Sequence, residues 1–142
     1  MKGTAYISDV YISALTNRPC VTISTPVENS SGIIIGVLTA DISLKSIWNI
    51  TEKIHIGESG YVDVVDTQGT LIAHPDFQKV LDKENVDGMS FVTQVIAGKT
   101  GSVEAVSTQG HKSLVTYNPI EKYRWGVLVY QPEKEVYETL IR

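Results

Sequence analysis

His74 is the side chain whose type and position point most directly to binding chemistry. It follows the apolar run Leu71–Ala73 and stands before Pro75, so we expect it at the end of a strand, beside a cleft between sheet and helices. An imidazole in that position can hold a small carboxylate, and its charge changes at about pH 6–7. The competing interpretation is that the ring only bonds a loop carbonyl.

Tyr61, Asp63 and Tyr117 are further candidate ligand-binding residues, because all three fall on strands that we expect in one sheet. Tyr61 and Asp63 are two positions apart and therefore share a face of their strand. Tyr61 and Tyr117 can equally be ordinary core residues, so the binding and the packing interpretations both stay open for them.

Spacings typical of catalysis or metal binding are missing from the sequence. The histidines at positions 55, 74 and 111 do not form a metal-binding pattern, and neither an HExxH motif nor a Gly-x-Ser-x-Gly elbow is present. Gly98-Lys99-Thr100 resembles the end of a phosphate-binding loop, but Thr93 stands where that loop needs a glycine. We therefore expect no enzyme, no cofactor and no metal site.

Composition narrows the class of protein. The 142 residues are 42% hydrophobic and 20% charged, as in an ordinary folded domain. A net charge of −4, with 12 scattered Lys and Arg, argues against a nucleic-acid partner. The single cysteine, Cys20, excludes an internal disulfide. No apolar run approaches the roughly 20 residues that cross a bilayer, and the abrupt start leads us to expect a fragment of a longer protein.

Residues 57–76 predict a β-hairpin. Tyr61–Asp66 alternates in polarity, which predicts a half-buried strand. Asp66 and Gly69 bound a tight turn, since Asp can bond its own backbone and Gly tolerates positive φ. A second strand, Leu71–Ala73, must end before Pro75 because proline lacks a ladder donor.

The chain after this hairpin supplies the sheet and helices that a hairpin needs for stability. Helices are predicted at 77–81 and 91–97, the second ended by Gly98. Strands are predicted over 100–107, 112–118 and 125–131, and Pro132 is expected to open a terminal helix. From residue 57 onward the fold is therefore α+β, a five-stranded antiparallel sheet with helices on one face.

Residues 1–41 predict three further strands, over 5–13, 20–27 and 33–40. The third is almost continuously apolar, which favours a buried strand. Nothing in this segment covers the apolar face, so we expect it to pack on a second copy, to exchange elements with it or to be disordered. A helix over 41–54 follows, with Asp41 or Ser43 as its N-cap.

Residues 11–27, 36–42 and 57–76, taken together, resemble the Cache domains, which are PAS-like extracytoplasmic sensors of bacterial and archaeal receptors. The resemblance implies a double-Cache arrangement with a partial, three-strand distal module. Its parts would be the distal strands (1–41), a connecting helix (42–56), a membrane-proximal PAS-like module (57–131) and a helix leading toward a transmembrane segment (132–142).

The amino-acid-binding subgroup of that family holds the ligand ammonium with an aromatic-x-Asp pair and a later Asp. By this resemblance Tyr11 corresponds to the aromatic residue and Asp41 to the later Asp, while Ser13 stands where the first Asp is expected. These three residues join the candidate ligand-binding set. An ammonium beside Asp41 would gain a charge-assisted hydrogen bond, whereas an N-cap role would make Asp41 structural.

The resemblance implies a ligand-sensing domain of a membrane-anchored chemotaxis receptor, histidine kinase or diguanylate cyclase. We expect an extracytoplasmic homodimer that binds an amino acid, an amine or a small carboxylate and transmits a helix displacement. The alternative is a structural or dimerisation spacer that binds nothing.

Overall fold

The computed structural model describes residues 5–141, which form two antiparallel sheets and four helices. The first sheet contains β1 (Tyr6–Ile7), β2 (Tyr11–Ile12), β3 (Pro19–Glu28) and β4 (Ile34–Ser43). The second contains β5 (Tyr61–Val65), β6 (Leu71–Ala73), β7 (Gly101–Val106), β8 (Lys112–Ile120) and β9 (Trp125–Pro132). The helices are α1 (Lys45–Glu52), α2 (Phe77–Leu81), α3 (Ser90–Ile96) and α4 (Glu133–Ile141).

The second sheet confirms the predicted α+β fold with five antiparallel strands. Its order is β6-β5-β9-β8-β7. The predicted turn is also confirmed, because Asp66 Oδ1 accepts hydrogen bonds from the amides of Gln68 (2.9 Å) and Thr70 (3.0 Å). Gly69 has a φ of 84°, the left-handed conformation that this turn needs.

β5 is buried on both faces, although its alternating sequence predicted a half-buried strand. One face carries Tyr61, Asp63 and Val65, and its apolar residues pack against α3. The other face carries Val64, which lies in a core shared with the first sheet and α1. That core contains Val10, Val21, Leu44, Val64, Ile72 and Ala73. The second cover could not be predicted from β5 alone because it comes from residues far away in the chain.

The single strand predicted over residues 5–13 is wrong. The structure has two short strands, β1 and β2, separated by Ser8–Val10. The Ser8 hydroxyl accepts the amide proton of Thr22 (2.8 Å), which a backbone carbonyl would accept in a regular ladder. Val10 is 9% exposed and lies in the shared core. The interruption thus turns an apolar side chain toward the second sheet.

The prediction that Asp41 caps α1 is wrong, and the helix is shorter than predicted. β4 continues to Ser43, and Asp41 lies opposite Thr22 of β3. Its carboxylate accepts a hydrogen bond from the Thr22 hydroxyl (2.7 Å) instead of capping amides. The Ser43 hydroxyl accepts a hydrogen bond from the Lys45 amide (3.3 Å), although Leu44 holds the N-cap position.

The outer half of β4 is exposed in the single chain, although its apolar sequence predicted a buried strand. Ile35, Val37 and Leu38 retain 66%, 64% and 64% of their accessible surface. The first sheet packs on the second through the shared core, to which it contributes Val21 and Ile42 together with Ile7 and Val10. The rest of its length extends beyond the shared core.

Pro132 ends β9 opposite Ser113 and does not open the terminal helix, which begins at Glu133. Proline is tolerated there because a strand end need not supply a ladder donor. Gly98 follows α3 with a φ of 85°, as predicted. Within residues 5–141, no helix combines the length and the apolar character needed to cross a membrane.

Candidate functional site

Five polar side chains meet beside the second sheet, and we call them the buried polar cluster. Tyr61 and Asp63 come from β5, Tyr130 from β9, His74 from the segment after β6, and Thr108 from the β7–β8 turn. Asp63 and Tyr130 are fully buried and His74 is 1% exposed. The structure therefore brings together three of the residues that the sequence analysis singled out.

Thr108 is the hydrogen-bonding centre of the cluster. Its hydroxyl donates to Asp63 Oδ2 (2.7 Å), and its oxygen lies 2.7 Å from the Tyr61 hydroxyl. Because a threonine hydroxyl has one proton, Tyr61 must donate in the second contact. The Gln109 amide then donates to the Tyr61 oxygen (3.1 Å).

His74 has a partner at each ring nitrogen. Nδ1 accepts a hydrogen bond from the Asp76 amide (2.9 Å), so the neutral ring carries its proton on Nε2. Nε2 lies 3.2 Å from Thr108 Oγ1 and 3.7 Å from Asp63 Oδ1. The ring thus bonds a loop amide. The competing interpretation from the sequence had it bond a loop carbonyl. A carboxylate ligand would have to displace one of these partners.

Burial favours the uncharged forms of the cluster. Loss of hydration raises the pKa of Asp63 to about 7, against the opposing effect of the hydrogen bond from the Thr108 hydroxyl. Desolvation lowers the pKa of His74, and the Lys79 ammonium lowers it further. Asp63 Oδ1 and the Tyr130 hydroxyl are buried without a hydrogen-bond partner at the distances seen among the described residues. The cluster can therefore hold or release a proton near neutral pH.

A cavity of about 280 Å³ adjoins this cluster beneath α1. Tyr61 and His74 form part of its wall, and Trp48 forms another part. Trp48 is fixed there because its indole N–H donates to the His74 carbonyl (2.8 Å) and its ring packs on Phe77 at 4.9 Å. The remaining lining residues are Thr51, Glu52, Ile54, His55, Gly60, Val62 and Pro75.

A second polar set lies on the first sheet. The Tyr11 hydroxyl is 2.6 Å from Thr22 Oγ1, which donates to Asp41 Oδ1 (2.7 Å). The alternation of β3 places Thr22 on the opposite face from Val21, which points into the shared core. Tyr11, Thr22 and Asp41 therefore form a connected array on the face that points away from the second sheet, and we call them the Tyr11–Asp41 array.

The structure does not join Ser13 or Tyr117 to either polar set by a hydrogen bond. The Ser13 hydroxyl accepts a hydrogen bond from the Leu15 amide (3.3 Å), within the turn after β2. Tyr117 packs against the core between the second sheet and α3, and its hydroxyl lies over Gly101 on β7. For Tyr117, this position fits the packing interpretation.

Thr22, Thr108 and Tyr130 are polar partners that the sequence analysis missed. Tyr130 could have been found, because it lies on the same face as Leu128 in an alternating strand. Thr22 and Thr108 gave no local signal, since their roles come from strand register and turn position. Among the described residues, no group of His, Cys, Asp and Glu side chains could hold a metal ion.

The comparison with protein families matches residues 1–140 to the model of the Cache domain. The chain belongs to the Cache domain family. The methyl-accepting chemotaxis protein McpG of Pseudomonas putida is 28% identical over 116 residues, which are 82% of this chain and 17% of McpG. Cache sensor domains of this kind occur in methyl-accepting chemotaxis proteins.

Solved structures share the fold of this Cache chain. The periplasmic sensory domain of the Campylobacter jejuni chemoreceptor Tlp1 matches with a TM-score of 0.76 and 18% identity, covering 94% of this chain and 51% of that one. The ligand-binding domain of the Pseudomonas aeruginosa amino-acid chemoreceptor PctB, in complex with L-Gln, matches with a TM-score of 0.68 and 20% identity, covering 97% and 55%. The chain thus spans about half the length of these domains.

Proposed function

We propose that this Cache chain is part of the extracytoplasmic sensory region of a membrane-anchored receptor, and that the region binds a small solute bearing an ammonium group. The observation that carries the proposal is the Tyr11–Asp41 array. It presents a carboxylate, a threonine hydroxyl and a phenol in a connected row. The complex of PctB with L-Gln supports an amino acid as the solute.

The chemistry of the array suits an ammonium group. Asp41 supplies a negative charge, and a hydrogen bond from an ammonium to a carboxylate is stronger than one between neutral groups. Thr22 already donates to Asp41, which orients the carboxylate before any ligand arrives. Ser13 does not provide the second carboxylate of the amino-acid-binding subgroup, so a simple amine remains a candidate beside an amino acid.

Binding would be communicated through α4 toward the membrane. Helix displacements of about 1–2 Å are established in such switches, and a coupling of about 1–3 kcal/mol between sites is sufficient. In this proposal the protein is a homodimer and the receptor belongs to the chemotaxis receptors, histidine kinases or diguanylate cyclases. The domain itself senses and does not catalyse.

The contacts of His74 and the size of the adjoining cavity support a second proposal. Both ring nitrogens of His74 have partners, and the adjoining cavity of about 280 Å³ is slightly below the roughly 300–1,000 Å³ of small-molecule sites. In this alternative, residues 57–131 act as a spacer or dimerisation module without a solute of their own.

A thermal-shift screen separates the two proposals. The full-length sensory region would be tested with individual amino acids, amines and small carboxylates. A ligand that binds only the folded state raises the free energy of unfolding, by about 2.7 kcal/mol at a hundredfold excess over Kd. The melting temperature rises as a consequence. A shift with at least one amine or amino acid supports sensing, and the absence of any shift supports the spacer.

A further inference from the structure

One carboxylate joins the loop before β5 to the first turn of α4. Glu135 accepts hydrogen bonds from the backbone amides of Glu58 (3.2 Å) and Ser59 (3.0 Å) and from the Ser59 hydroxyl. We call these three bonds the Glu135 contact. They lower the pKa of Glu135, the Ser59 hydroxyl being the main cause, so the carboxylate is ionised at neutral pH.

Two glycines shape the loop for this contact. Gly57 has a φ of 60°, and a Cβ there would collide with the Glu135 carboxylate. At Gly60 a Cβ would collide with the backbone carbonyls of Ile56 and Tyr130. The Gly60 amide also donates to the Ile56 carbonyl (2.8 Å). The loop is therefore held against β9 at its end and against α4 in its middle.

The same loop borders the cavity beneath α1. Gly60 and Tyr61 line this cavity, with His55 just before the loop. Since Ser59 is bonded covalently to Gly60, a shift of the cavity wall moves the two amides and the hydroxyl that hold Glu135. The Glu135 contact therefore joins the loop that borders the cavity to the terminal helix.

We infer that Glu135 is a positioning residue that couples the cavity beneath α1 to α4. It holds the first turn of α4 to the loop, so that a displaced loop displaces the helix. Elsewhere α4 meets the sheet at β8 and β9, which are not part of the cavity wall. The inference rests on the proposed function, in which α4 carries the signal.

Hydrogen–deuterium exchange of the full-length protein, followed on peptides covering 57–60 and 133–141, tests the contact. Glu135→Ala is expected to speed the exchange of α4 amides by roughly two- to fivefold, with the melting temperature of the domain nearly unchanged. Glu135→Gln keeps an acceptor oxygen and should restore part of the protection. Glu138→Ala, an exposed carboxylate on the same helix, is the matched control and should have no effect.

Coupling to the cavity is tested by a second substitution. His55→Trp places a large ring at the cavity wall and should speed α4 exchange in the protein that keeps Glu135. In the Glu135→Ala background the same substitution should add nothing, because the connection is already broken. Such non-additivity is the signature of coupled positions.

The possible outcomes are distinct. Equal α4 exchange in Glu135→Ala and wild type would overturn the inference, as would an effect of His55→Trp that is the same in both backgrounds. If no solute stabilises the sensory region while Glu135→Ala loosens α4 and His55→Trp acts only when Glu135 is present, the coupling stands and the proposed sensing fails.

Discussion

Asp63 is a carboxyl group without exposed surface, and burial raises its pKa to about 7. An aspartate in the unfolded chain titrates at about pH 3.9, so the folded protein binds this proton more tightly. The contribution of this proton to the free energy of unfolding is largest below about pH 4 and is lost as the pH rises through about 7. His74 acts in the opposite direction. Burial lowers its pKa, so its contribution is lost as the pH falls below about 6.5.

Asp63→Asn should remove the loss of stability at high pH. Relative to wild type, the free energy of unfolding of the variant is expected to rise by about 3 kcal/mol between pH 5 and pH 8. The remaining pH dependence should then come from His74 and give greater stability at higher pH. Urea unfolding at several pH values measures both effects.

The control for this experiment is Asp87→Asn, which changes an exposed carboxylate. It should leave the pH profile of wild type unchanged. Lys79 and Glu84, which also influence the pKa of Asp63, stay in place in both variants. A constant stability difference between Asp63→Asn and wild type from pH 5 to pH 8 would show that Asp63 has an ordinary pKa.

Thr108→Val tests the hydrogen-bonding centre of the cluster. The substitution leaves Asp63, Tyr61 and His74 short of a partner, and we expect a loss of about 2–3 kcal/mol in the free energy of unfolding. Tyr130→Phe is the matched comparison. It removes a buried hydroxyl that has no hydrogen-bond partner among the described residues, so the expected loss is below about 1 kcal/mol. Equal losses would contradict this assignment.

The exposed half of β4 is an apolar surface that favours association between chains. Ile35, Val37 and Leu38 form an apolar strand with more than half of each side chain exposed, and such surfaces promote association. The isolated chain should therefore associate in solution, and Val37→Lys should shift it toward the monomer. Sedimentation velocity measures this, and a monodisperse wild-type monomer with an ordered β4 would contradict it.

Local chemistry determined some elements and not others. The Asp66 turn and the Gly98 stop were predictable because one side chain or one backbone conformation decides them. The break between β1 and β2 was not predictable, because the Ser8 hydroxyl accepts a hydrogen bond from the amide of Thr22 on another strand. The prediction of Asp41 as an N-cap failed because strand register sets the partner of Asp41, and local sequence does not reveal that register.

For the molecule as a whole, the sequence predicted the second sheet and singled out three of the five side chains of the buried polar cluster. Strand alternation placed Tyr61 and Asp63 on one face, and the Pro75 turn placed His74 beside a cleft, but the sequence did not predict that the three side chains meet. It missed Thr108 and the shared core between the two sheets, since both depend on contacts between distant segments. The sequence also predicted a half-buried β5, because the residues of that strand do not indicate that another sheet covers its second face.

We propose that the Tyr11–Asp41 array binds an ammonium-bearing solute. Isothermal titration calorimetry of the full-length sensory region with individual amino acids and amines tests it most directly. We predict that at least one of them binds the wild type, and that Asp41→Asn weakens its affinity about tenfold or more through loss of a charge-assisted hydrogen bond. Binding that is undiminished in Asp41→Asn, or no binding by any of these solutes, would contradict the claim.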